Sequence, residues 1–311
     1  MAAYLTARFW PAGPGGGPAE KLRVRLGWLA NANSAGPVVA AARGFYQDEG
    51  LDVMLSEGGM AQHAVRSVAA GEDDLGFANG PDLVISARAA GVPVKIVAVV
   101  HQEGCHGFFV RDDSDIRSPR DWPGRRVGVK SGSPTYTYYL ALVSKLGIDR
   151  NAIREVPLGY DPRPFLAGDV DVYPGAKTNE AVTFEQQGVR VRCIDPEDYG
   201  IPTIGTVLFA TEPILRDRAD AVRRFVRATM RGWDWCRPAS NRESVVNHLA
   251  ALNPGLDRRK ELRALELTLP LVGSGEIDRA RLAAFIDVQT RHCGLSRPVT
   301  MDELAAPPMA H

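Results

Sequence analysis

The sequence carries no excess of either charge, with 37 basic and 37 acidic residues among 311. No overall field therefore draws it to nucleic acid or to an anionic membrane surface. It also lacks any apolar run near the roughly 20 residues needed to span a bilayer. Its longest apolar stretches, such as residues 92–100, are broken by Pro93 and Lys95. Neither nucleic acid nor membrane insertion is expected. The four cysteines, Cys105, Cys193, Cys236 and Cys293, stand tens of residues apart, with no Cys-x-x-Cys pair and no Cys/His spacing suited to zinc. Buried free thiols are expected, and neither a metal nor a cofactor is. Residues 1–20 lack the apolar segment of a secretory signal and contain Gly13-Pro14-Gly15-Gly16-Gly17-Pro18. They read as a flexible arm, and the chain as written reads as cytoplasmic.

What the sequence does have is a globular composition, 45 % hydrophobic and 24 % charged, which is enough to build a core. The length points to about two domains. From Lys21 onward, short β-branched runs alternate with helical patterns, the signature of an α/β fold with strands joined by helical crossovers. Strands are expected near 22–29, 51–55, 75–78 and 94–100, with helices between them. A second unit opens at Ser118-Pro119-Arg120-Asp121, a cap with a first-turn proline. Its strands are expected near 126–130, 154–157, 170–173 and 189–194. A return strand is expected at 205–210, and everything after Glu212 reads as helices. A helical tail must bury its apolar face on one of the sheets. The expected organisation is thus a discontinuous first lobe, 21–110 plus 206–311, around a second lobe, 111–205, with two hinge crossings and a ligand cleft between.

In such sheets ligands lie beyond the strand carboxyl ends, where loops enter helix N-termini. Gly36-Pro37, Gly80-Pro81 and Ser133-Pro134 mark three such entries, each proline sitting where a missing N–H costs nothing. The loop after the first strand offers Trp28 for stacking and Asn31, Asn33 and Ser34 for hydrogen bonding. Asn79 lies on the same rim. On the second lobe, Ser131, Ser133 and Tyr136 open a helix whose donors suit an anionic or carbonyl group. Tyr173, Asn179, Glu180 and Tyr199 complete the candidate set, with Glu180 able to accept from an amino-substituted ring. No phosphate-loop or dinucleotide glycine pattern follows a strand, and neither a nucleophile elbow nor an HExxH motif is present. Were the chain an enzyme, Cys105, His106 and Lys177 would be the groups to carry it.

The run Ala41-Ala42-Arg43-Gly44-Phe45-Tyr46 followed by Asp48-Glu49-Gly50-Leu51-Asp52-Val53 resembles the type II periplasmic solute-binding proteins for thiamine pyrimidine precursors, sulfonates, nitrate and taurine. Residues 116–129 resemble that family's entry to its second lobe, and Thr178-Asn179-Glu180, Gln186-Gln187-Gly188 and Asp198-Tyr199-Gly200 are similar to its thiamine-precursor branch. The resemblance implies one small heteroaromatic or anionic ligand in an interlobe cleft, held by Trp28, Asn31 and Glu180. It also implies delivery to an ABC transporter permease and a periplasmic or cell-surface location. The same scaffold carries cytosolic enzymes, among them a pyrimidine synthase, an aromatic sulfinate desulfinase and decarboxylase-like relatives. Gly107-Phe108-Phe109-Val110-Arg111-Asp112-Asp113-Ser114 resembles the desulfinase. Yet no cysteine stands near Asn31, and Ala78-Asn79-Gly80-Pro81-Asp82 lacks the synthase's lysine and histidine.

Overall fold

The structure, a computed structural model, describes residues 19–59 and 62–308. In chain order its first strands are β1 (Glu20–Arg25), β2 (Leu51–Ser56), β3 (Leu75–Ala78), β4 (Val94–His101), β5 (His106–Arg111) and β6 (Arg126–Val129). They are followed by β7 (Arg154–Pro157), β8 (Tyr173–Ala176), β9 (Val191–Ile194), β10 (Val207–Thr211) and β11 (Val272–Gly275). Of the arm expected over 1–20, residues 1–18 lie outside the described residues. Glu20 is the first residue of β1, and its carboxylate accepts from Arg218 Nε at 2.9 Å and Arg224 Nη2 at 2.7 Å.

Six strands form one sheet in the order β11-β4-β10-β3-β1-β2. β1, β2 and β3 are parallel, as helical crossovers require. β10 returns antiparallel between β3 and β4, so its first residues lie beside their carboxyl ends. β11 pairs with β4 within what reads as a helical tail; its Val-Gly-Ser-Gly sequence has no β-branched run to announce it. In the second sheet β5 lies between β8 and β9, antiparallel to both. β6 and β7 are joined to it by a bridge from Val127 to Val172. The chain therefore changes sheet between His101 and His106, earlier than the boundary read at 110, because the Phe108–Val110 run finds its partners in the second sheet.

Helices Ala35–Ala42, Ala219–Cys236, Arg242–Leu252 and Arg258–Thr268 cover one face of the large sheet. Helices Asp82–Ala89 and Arg279–His292 cover the other and continue into helix Pro134–Lys145 of the second lobe. Tyr138 meets Phe285 edge-on across that seam at 6.0 Å. The two lobes thus share a packed back.

Candidate functional site

The front is a cavity of about 710 Å³, counting the part open to solvent, a size suited to a small molecule. The carboxyl ends of β1, β3, β4, β6 and β8 and the starts of β5 and β10 converge on it. Opposing Val207 to Ala78 and to Val99 brings Gly205 and Thr206 beside Asn79 and His101. Pairing His106 with Ala176 brings His106 to the segment that anchors Glu180.

From the first lobe come Trp28, Asn31, Asn33 and Asn79. Asn31 caps the short 3-10 turn Ala32–Ser34: its Oδ1 accepts from Asn33 N at 2.9 Å, and its own N–H donates to Ser34 Oγ at 3.1 Å. Two carboxylates hold the loop from behind, Glu57 accepting from Ala30 N and Glu261 from Ala32 N, both at 2.7 Å. Such second contacts fix the loop before a ligand arrives. Asn33 Oδ1 accepts from Thr268 Oγ1 of its own lobe and from Thr178 Oγ1 of the other, each at 3.2 Å. Asn33 is therefore a tie across the cleft.

The second lobe contributes a buried ion pair that the sequence reading missed. Lys130 Nζ lies 2.9 Å from Glu180 Oε1, and Glu180 Oε2 accepts from Ala176 N at 2.8 Å. Side-chain exposures of 3 % and 8 % make this an enclosed pair, in which neither charge could be left alone cheaply. Lys130 also sits over the Tyr173 ring at 4.3 Å. Above, Trp28 and Tyr160 meet across the mouth with ring centroids 4.5 Å apart.

His101 and His106, at the end of β4 and the start of β5, line the cavity. Burial pushes their imidazoles down, to about 3 and about 4, so both are neutral at ordinary pH. Each keeps one nitrogen, Nε2 of His101 and Nδ1 of His106, without a hydrogen-bond partner among the described residues. Burial pushes the neighbouring Cys105 thiol up, the reverse of an activated nucleophile. Lys177, the third group considered for catalysis, is engaged at 2.6 Å with Asp195 and does not line the cavity.

Of the residues expected in the site, Trp28, Asn31, Asn33, Asn79, Ser133, Asn179 and Glu180 meet at this cavity. Others are placed elsewhere. Ser34 is turned to Asn31 and borders a smaller adjoining hollow. Ser131 borders a third hollow beyond Trp28 and Tyr160. Tyr136 accepts from Arg150 and faces Tyr139 at 6.2 Å. Tyr173 is buried under Lys130, and Tyr199 packs on the core at the foot of the second lobe. The donors expected of the 130–136 loop are largely used internally, since Ser133 Oγ donates to Lys130 O at 2.6 Å. Tyr160 and Thr206 were not singled out from sequence: Tyr160 lies in a polar loop with no periodicity to mark it.

Two lobes around such a cleft, with these sheet orders, define the periplasmic-binding-protein fold. The aliphatic sulphonate binding protein SsuA of Escherichia coli superposes with a TM-score of 0.76 over 93 % of this chain and 92 % of that one, at 19 % identity. A profile for the family described as NMT1/THI5 like matches residues 31–240, and the chain belongs to that family. It is 26 % identical over 233 residues to a formylaminopyrimidine-binding protein of Halalkalibacterium halodurans, covering 74 % of this chain and 70 % of that protein. It is also 27 % identical to the riboflavin-binding protein RibY of Chloroflexus aurantiacus, covering 68 % of this chain and 61 % of that one. Among the described residues no helix is long and apolar enough to cross a membrane.

Proposed function

We propose that the protein is a solute-binding protein that captures one small nitrogen heteroaromatic molecule, of the pyrimidine-precursor kind, between its lobes. The observation that carries this reading is the layout of the cleft. Aromatic rings from opposite lobes, Trp28 and Tyr160, stand over a pocket whose polar lining combines the Lys130–Glu180 pair with amides, imidazoles and hydroxyls. That combination can cover a flat ring on one face and hydrogen-bond its edge. The names of the two sequence relatives, for a formylaminopyrimidine and for riboflavin, point the same way.

Catalysis is not favoured by the groups present. Cys105 is held as a thiol and His106 as a neutral ring, and no base–nucleophile hydrogen bond joins them among the described residues. An ABC importer permease is the partner this reading entails. Cell fractionation checks that partner: a strictly cytoplasmic protein would remove it.

The test of the binding reading is native mass spectrometry of the protein from its own cells, followed by a thermal-shift screen of pyrimidines, flavins and sulfonates. One unaltered heterocycle per chain, with stabilisation rising as the logarithm of its concentration, is the expected result. A compound chemically changed on incubation would refute it.

A further inference from the structure

The aromatic pair Trp28–Tyr160 has cavities on both of its sides. Beyond it lies a second chamber of about 770 Å³, again counting the part open to solvent, and this one too is walled by both lobes. Trp28, Asn79, Pro134 and Tyr160 belong to both walls, so a single layer of side chains separates the chambers. Tyr160 is the movable part of that layer, being 41 % exposed on the loop between β7 and the short helix Arg163–Leu166. One molecule can therefore occupy both chambers once this ring swings aside.

The second chamber differs in chemistry from the first. It holds no ion pair, and its polar side chains are His63 and Asn79, both half-buried, and the exposed Ser131. None of the three side chains has a hydrogen-bond partner among the described residues, so each can engage a ligand without giving up an internal bond. Burial, helped by Arg66, holds the His63 imidazole below its ordinary value, which leaves it neutral at pH 7. Asp82 is also on the wall, but it is only 2 % exposed and burial pushes its carboxyl up to about 7, so it adds little fixed charge. A neutral imidazole, an amide and a hydroxyl each offer a donor and an acceptor. Hydroxyl groups on a ligand offer the same two functions and so match all three.

Resting on the binding-protein reading, we propose that the second chamber is a subsite for an uncharged, hydroxyl-bearing substituent of the ligand, so that a heterocycle with such a tail is preferred to the bare ring. The ring occupies the first cavity, and the tail crosses the shared wall to meet His63, Asn79 and Ser131. Val65, Phe77 and Leu83 line the same chamber and cover the carbon chain that carries the hydroxyls. Ser131 and His63 border this chamber and not the first, which makes them the residues that report on the tail alone.

The test is calorimetric titration of two matched pairs, riboflavin with lumiflavin and uridine with 1-methyluracil, with formylaminopyrimidine as the tail-free control. Within each pair the ring is the same and a methyl group replaces the hydroxylated tail. At least one tailed compound is expected to bind the wild type about tenfold or more tightly than its methyl partner, at one molecule per chain. Ser131→Trp, which puts an indole into the chamber, should bring that ratio to within about twofold of one, and His63→Leu should lower it by about three- to tenfold. A wild-type ratio near or below one in both pairs, or a ratio unmoved by both substitutions, would overturn the inference and leave the binding-protein reading standing. Two molecules of a tailed compound per chain, or binding of formylaminopyrimidine with neither pair bound, would do the same. No binding by any of the five compounds would overturn the reading and the inference together. If the variants do not fold, the wild-type ratio decides: tenfold or more supports the subsite, and a ratio near one overturns it.

Discussion

At the scale of single residues, the Lys130–Glu180 pair sets both the site and its cost. Removing one partner leaves the other buried and uncompensated, which generally destabilises by about 3–5 kcal/mol, whereas replacing both with apolar groups is often close to neutral. Lys130→Met and Glu180→Leu should each lower urea stability by that order, and the double variant should regain much of it without regaining ligand binding. Single variants within about 0.5 kcal/mol of wild type would show that the pair is not enclosed. Asp82 behaves differently. The residue is 2 % exposed, Oδ1 has no partner among the described residues, and burial pushes its carboxyl up to about 7. Because the folded state holds this proton more tightly than the unfolded chain, its contribution to stability is fully present below about pH 4 and is lost as pH rises to about 7, on the order of 4 kcal/mol in all. Asp82→Asn should therefore gain on the wild type progressively between pH 4 and pH 8 in denaturant titrations. A gap that stays constant with pH would contradict this account of Asp82.

At the scale of elements, helices Ala35–Ala42 and Ala219–Cys236 cross at two glycines. A Cβ on Gly232 would lie 2.1 Å from Gly36 O, and one on Gly36 would lie 2.2 Å from the Trp233 ring. This crossing seats the loop that carries Trp28, Asn31 and Asn33. Gly232→Ala should cost about 1–3 kcal/mol through overpacking and loosen ligand binding as well; an unchanged urea midpoint would contradict the close crossing. Most elements were legible because hydrophobic periodicity and caps are local signals. Pro134 at the first turn of its helix and Ser118 capping Pro119–Asp121 are examples. The pairing of β5 was not legible, since a three-residue apolar run carries no label for the sheet that will accept it. β11 was missed for a related reason: Val272–Gly275 becomes a strand only because the edge of β4 is there to pair with. Asn31 and Glu180, expected from loop position and helix start, both line the cavity. Tyr136, Tyr173 and Tyr199 were misplaced because facing the cleft or the core depends on side-chain direction across two lobes.

At the scale of the whole molecule, the seam between helices Pro134–Lys145 and Arg279–His292 keeps the lobes joined at the back, while Trp28–Tyr160 and Asn33–Thr178 join them at the front. Front contacts of this kind govern release more than capture, because they form only once the lobes have closed. Tyr160→Ala should speed ligand dissociation by about ten- to a hundredfold, the worth of one ring stacked on a heterocycle, and leave association within a few-fold in stopped-flow traces. An effect confined to association would mean that the ring guides entry instead of holding the ligand. The central claim is that the cleft holds a small nitrogen heteroaromatic molecule and returns it unchanged. Its most direct test is calorimetric titration with formylaminopyrimidine, followed by mass analysis of the released compound. One molecule bound per chain and recovered intact is the predicted result; no binding, or recovery of a chemically altered product, would contradict it.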